Sequence, residues 1–105
     1  MTTLSSNVIF VHMKVELMLD ERHVVSETAF VEIVVWRVQP PVSGSHHAFK
    51  YRLVLVVDGE CVLRYDNETG KGDHKHMGKN ELPYIFTTSQ NLLDDFWHDV
   101  ENWRP

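Results

Sequence analysis

Residues 48–67 read AFKYRLVLVVDGECVLRYDN, and their pattern decides the fold. Phe49, Tyr51, Leu53, Leu55 and Val57 fall on one face of an extended segment, while Lys50 and Arg52 fall on the other. Asp58-Gly59 then predicts a two-residue hairpin turn, since both central residues of a type I′ turn need positive φ. The returning strand, ECVLRYDN, carries Tyr65 and Asp66 away from that turn. Residues equidistant from a hairpin turn face each other, so Lys50 and Arg52 should lie across from the Arg64 to Asp66 stretch.

Working outward, FVEIVVWRV at 30–38 is β-branched and aromatic and predicts a strand ahead of this hairpin. Pro40 and Pro41 cannot donate to a ladder and end it, and Ser43, Gly44 and Ser45 extend the break to about His46. Earlier still, VIFVHMKVELML at 8–19 alternates like a half-buried strand, and the polar DERH at 20–23 is the expected reversal. Downstream, Tyr84-Ile85-Phe86 is expected to add an edge strand, with Pro83 tolerated near its start. A helix should follow, because Leu92, Leu93, Phe96, Val100 and Trp103 recur at helical spacing. Thr87 and Gln90 have capping-box spacing, with Thr88 and Ser89 as alternative caps. The expectation is a single α+β domain over residues 1–105: an antiparallel meander sheet of four to five strands with one C-terminal helix packed on one face.

A chain of 105 residues, 43% apolar and 24% charged, can bury a core without covalent staples. Its net charge of −5 supplies no overall field for collecting nucleic acid or anionic lipid, so any such contact must be local. Cys61 is the only cysteine, which excludes an intrachain disulfide and a thiolate zinc site. With no catalytic pattern beside it, the expectation is a small buried residue. No basic leader and no apolar run of membrane-spanning length is seen, which points to a cytoplasmic protein without a membrane partner.

The segment DNETGKGDHKH, residues 66–76, holds more chemistry than a turn requires. If it is extended, His74 and His76 project to one side about 7 Å apart, with Lys75 opposite. Two imidazoles titrating near neutrality can act as base and acid in cleavage of RNA by its own 2′-hydroxyl. Lys71, Lys75, Arg64 or Lys79 can supply positive charge, and the Gly70-Lys71-Gly72 backbone could turn N–H groups toward a phosphate. Asp66, Asp73, His74 and His76 also form a nitrogen and oxygen donor set for a metal. The plainer alternative is a solvated loop that keeps a sheet edge soluble.

His46, His47, Lys50 and Arg52 form a second cluster, expected at the same end of the sheet. His12, His23 and His98 read as surface residues, and Trp36, Trp97 and Trp103 as core.

Taken together, EIVVWRV with its prolines, HAFKYRLVLV at 47–56, RYDNETGKGDHKH at 64–76 and the Tyr84-Ile85-Phe86 segment leading into NLLDDFWHDV resemble the TumE family of toxins from prokaryotic toxin-antitoxin modules. The resemblance covers the chain from about Val24 onward. It implies a small toxin silenced by a cognate antitoxin protein, and by class analogy an action on RNA, with or without the ribosome. Lys50, Tyr51, Arg52, Tyr65, Asp66, Asn67, Gly70, Lys71, Gly72, Asp73, His74 and His76 match the family's pattern. Lys75 stands where other members carry Arg, keeping the charge but losing the planar fork.

The expected activity is a metal-independent endoribonuclease without cofactor. His74 and His76 exchange protons, Lys71 and Arg52 hold the scissile phosphate, and Asp66 orients an imidazole. Lys50, Tyr51, Tyr65, Asn67, Gly70, Gly72, Asp73 and Lys75 are the expected substrate contacts. Two alternatives stay open: a non-catalytic toxin that blocks its target through the same surface, and a metal-dependent enzyme using Asp66, His74 and His76. A homodimer is compatible with either, and the edge near Tyr84 is the expected place for an antitoxin strand to add.

Overall fold

A computed structural model describes residues 14–105, so the part of the first expected strand before Lys14 lies outside the described residues. Six antiparallel strands follow in chain order: β1 (Lys14–Ser26), β2 (Ala29–Gln39), β3 (Phe49–Val57), β4 (Glu60–Glu68), β5 (Gly72–Met77) and β6 (Asn80–Pro83). One helix, α1 (Ser89–Asn102), closes the chain. The α+β meander is as the sequence predicts, with six strands rather than four to five.

The central hairpin forms as its pattern dictates. Asp58 and Gly59 both take positive φ, 51° and 77°, and Arg52 pairs with Asp66 across the ribbon. A bulge beside Val62 changes the parity near the turn, so that Cys61 pairs with Val56 on the other face and is exposed rather than buried.

Two boundaries differ from expectation. The DERH segment does not turn: β1 runs straight through it and reverses at Glu27-Thr28. As the edge strand, β1 is exposed along nearly its whole length, so polar residues there carry no turn signal. At the opposite edge the added strand is Asn80–Pro83, not 84–86. Gly78, with φ 63°, and Lys79 make a tight reversal that pairs Met77 with Asn80.

The core lies between the sheet and α1. Val31, Ile33, Val35, Tyr51, Leu53, Leu55, Leu63 and Tyr65 alternate onto one face and meet Leu92 and Phe96. Thr88 is the cap in fact, its Oγ1 accepting the Asn91 N–H at 3.0 Å, while Thr87 Oγ1 takes the Asn91 side chain. Burying Leu92 and Phe96 contributes roughly 2 to 3 kcal/mol each by apolar transfer, and this holds the helix down. Trp97 and Trp103 pack on the margin of the core, whereas Trp36 is half-buried on the face without the helix, in register with Leu17 and Lys50.

Candidate functional site

The β4–β5 ribbon sends its residues alternately to two faces, and this divides the predicted site. On the helix-free face Arg52, Asp66 and His74 stand in one cross-strand row, and Arg64, His76 and Glu81 in the next. On the helix side lie Tyr51, Tyr65, Asn67, Asp73 and Lys75. His74 and His76 therefore share a face with Arg52 and Asp66, as expected, but Asp73 does not. The four-ligand metal set is not assembled, and among the described residues no group of three or more His, Cys, Asp and Glu is placed to hold a metal ion.

The helix side is a closed polar network. Asn67 is fully buried: its Oδ1 accepts the Tyr51 N–H at 3.0 Å, and its Nδ2 donates to Phe49 O at 2.7 Å and Ser45 Oγ at 3.2 Å. Asp73 accepts from Ser45 Oγ at 2.7 Å, His47 Nε2 at 2.7 Å and Tyr51 Oη at 2.6 Å. His47 Nδ1 accepts the Phe49 N–H at 3.1 Å, which selects the Nε2–H tautomer and occupies both ring nitrogens. Its ring stacks on Phe86 with centroids 3.7 Å apart.

These contacts clamp the 40–48 loop onto β3, β4 and β5. The approach is close enough that Gly44 and Gly72 leave no room for a side chain: a Cβ on Gly44 would sit 2.9 Å from Gly72 N. The Gly70 N–H donates to Ser43 O at 2.6 Å and the Lys71 N–H to Glu68 O at 3.0 Å, so these two donors of the expected phosphate nest are already used.

A second group pins the helix. Tyr65 Oη and Lys75 Nζ both donate to Asp99 Oδ2, the latter at 3.2 Å, and Tyr84 Oη donates to Asp95 Oδ2 at 2.6 Å. Burial, then the hydrogen bond to a carboxylate, pushes the phenols of Tyr51, Tyr65 and Tyr84 well above their ordinary value. Tyr51, Tyr65 and Asn67, expected as substrate contacts, thus have their side chains buried and internally bonded. Gly72 is buried, and Lys75 faces the helix.

The open face is arranged differently. His74 Nδ1–H donates to Gly72 O at 3.1 Å, which leaves Nε2 as the ring nitrogen turned away from the strand. Glu81 Oε1 lies 3.7 Å from that nitrogen and 3.7 Å from Lys71 Nζ. Sequence reasoning passed over Glu81, and the Gly78-Lys79 turn was the signal that would have brought it beside His76.

Asp66, 7% exposed, lies with Oδ2 3.2 Å from Arg64 Nε. That distance is an ion pair's, but the N–H is not aligned for a hydrogen bond and Arg64 Nε has no other partner. Asp66 bonds to neither imidazole; the group that orients His74 is the Gly72 carbonyl. Lys50 Nζ reaches over to Asn67 O, and Arg52 is exposed.

Charge is divided in the same way. Helix α1 carries Asp94, Asp95, Asp99 and Glu101 and no Lys or Arg, four of the chain's five excess negative charges. The acidity that argues against an anionic ligand lies mostly across the sheet from His74.

The result is an α+β sheet with one face covered by the helix and one open face that carries Arg52, Arg64, His74 and His76. The family model described as Toxin TumE matches residues 6–104, and the chain belongs to that family. Comparison with curated proteins and with solved structures gave no match. A toxin of this family implies an antitoxin partner, and among the described residues no helix is long and apolar enough to cross a membrane.

Proposed function

We propose that this toxin is an endoribonuclease that works without a metal from the helix-free face of β3 to β6. The observation that carries the reading is the in-register row Arg52, Asp66, His74, with His76 two residues further along the same face and the acidic helix on the other. In the proposed step one imidazole takes the 2′-hydroxyl proton and the oxygen attacks phosphorus. The P–O5′ bond breaks as the second imidazole protonates the leaving oxygen. The products are a 2′,3′-cyclic phosphate and a 5′-hydroxyl.

His74 is assigned the base, because the Gly72 carbonyl fixes its Nδ1–H and leaves Nε2 to accept. His76 is assigned the acid. Arg52 and Lys71 contribute positive charge to the phosphate, Arg52 as a planar fork. Asp66 acts on Arg64, holding the cation beside His76, rather than on an imidazole.

The footprint on RNA is short, because the cations on this face are few and partly paired with Glu81, Glu68 and Asp66. Incubating the purified toxin with total RNA and with ribosomes, in chelator, and mapping new ends tests the reading. New ends bearing cyclic phosphate, absent with His74→Ala, are the expected result. Growth arrest without any RNA product would replace the enzyme by a toxin that blocks its target through the same face.

A further inference from the structure

At the far end of the molecule from the Gly44–Gly72 contact, an apolar groove opens on the helix side of the sheet. The β1–β2 and β3–β4 turns meet there, the Asp58 N–H donating to Thr28 O at 2.8 Å. Ala29, Leu55 and Val57 form the floor, Trp97, Val100 and Trp103 the helix wall, and Val25, 49% exposed, the lip. The groove has a volume of about 470 Å³, room for several apolar side chains of a partner. None of its lining residues belongs to the His74 row or to the clamp around Asp73.

The surroundings are acidic. Glu101 lies on the wall, Asp94 one turn before Trp97, and Glu27, Asp58 and Glu60 in or beside the two turns, five carboxylates against the two cations Arg104 and Arg22. An apolar slot walled by two tryptophans, with an excess of negative charge around it, suits a partner segment with apolar anchors flanked by Lys or Arg. The β6 edge fits less well. It is four residues long and ends in Pro83, and Tyr84, where a strand was expected to add, is tied to Asp95 and to the Asp73 carbonyl.

We infer that this groove is where the antitoxin docks, through a basic-flanked apolar segment, on the side of the sheet opposite the proposed catalytic row. The antitoxin then holds the toxin by its helix without filling the His74 face through this contact. Neutralisation comes from the bulk of the bound partner or from the assembly it imposes. The inference rests on family membership and not on the nuclease reading.

The test uses the full chain and the antitoxin encoded in the same module. Val25→Asp and Glu101→Arg alter exposed positions, so folding is preserved, and circular dichroism checks it. Each should weaken the complex by about tenfold or more, and together they should give a toxin that arrests growth but is no longer rescued. In a Trp36→Phe background, saturating antitoxin should blue-shift the emission of Trp97 and Trp103. Unchanged affinity of both variants, or unchanged emission in a formed complex, would overturn the assignment. Sedimentation showing a toxin dimer that the same substitutions split would also overturn it, giving the groove to a second copy. Binding and fluorescence do not depend on RNA cleavage, so loss of the nuclease reading leaves this result standing.

Discussion

The two faces of the β4–β5 ribbon are built from neighbouring residues and serve opposite ends. Asp73 and Lys75 turn inward and bind Ser45, His47, Tyr51 and Asp99, while His74 and His76, one step along, turn outward. Inward polar atoms are saturated. Outward ones have spare capacity: His74 spends one nitrogen on Gly72, and its contact with Glu81 is long. A densely bonded inner face is what allows an under-bonded outer face to keep its geometry, since the histidines inherit their positions from a strand fixed on its other side.

The sharpest break of this comparison is His74→Ala. RNA cleavage should fall about 100-fold or more, the usual weight of a proton-transfer group, while stability falls by only about 1 kcal/mol, the weight of the one bond to Gly72 O. A variant that melts early instead would make His74 structural and erase the contrast.

Asn67→Ala is the inward counterpart. It orphans the Tyr51 N–H and the Phe49 carbonyl in a dry interior, and the expected loss is about 3 kcal/mol in urea unfolding. Activity per folded molecule should stay near normal where enough folded protein survives.

Gly44→Ala comes next, at about 2 kcal/mol, because φ is 96° and the new methyl meets Gly72 N at 2.9 Å. Ala at Gly59, where a Cβ would meet nothing within 4 Å, carries only the backbone part of that cost and should be milder.

The smallest effect is in pH dependence. The phenols of Tyr51, Tyr65 and Tyr84 are raised in the fold above 10.0, so above that pH the unfolded chain releases protons the folded chain retains. Stability should be flat with respect to these groups below pH 10 and decline above it, and Tyr65→Phe should make the alkaline decline shallower. An identical slope in the variant would mean that Asp99 does not hold the hydroxyl in solution.

The central hairpin and the helix were legible because their signals are local: alternation of Phe49 through Val57, an Asp-Gly turn, and apolar residues at helical spacing. The first turn was not, since β1 has no covered face that would force alternation, and DERH looks the same in an exposed strand as in a loop. The edge strand was displaced to 84–86 for the opposite reason. Tyr84 and Phe86 do alternate inward, onto Tyr65 and His47, while Ile85 points out, yet only the Tyr84 N–H joins a strand neighbour. Side-chain period alone does not reveal where a ladder ends.

For the site, the sequence showed which residues crowd one end of the sheet, and the structure agrees that the His47 and Asp73 regions meet there. Which residues are consumed by each other was not visible. Asn67 and Asp73 look like ligand contacts in a string of letters, and only the path of the 40–48 loop shows that their partners are Ser45, His47 and Tyr51.

Neighbours in this sheet are also neighbours in the chain, β1 through β6 without a crossover. During synthesis the ribbons from β1 to β4 emerge first, and a nascent chain halted before Gly72 lacks His74, His76 and the helix altogether. Translation therefore delivers the proposed toxic chemistry late, and under that proposal a chain halted before Gly72 carries none of it.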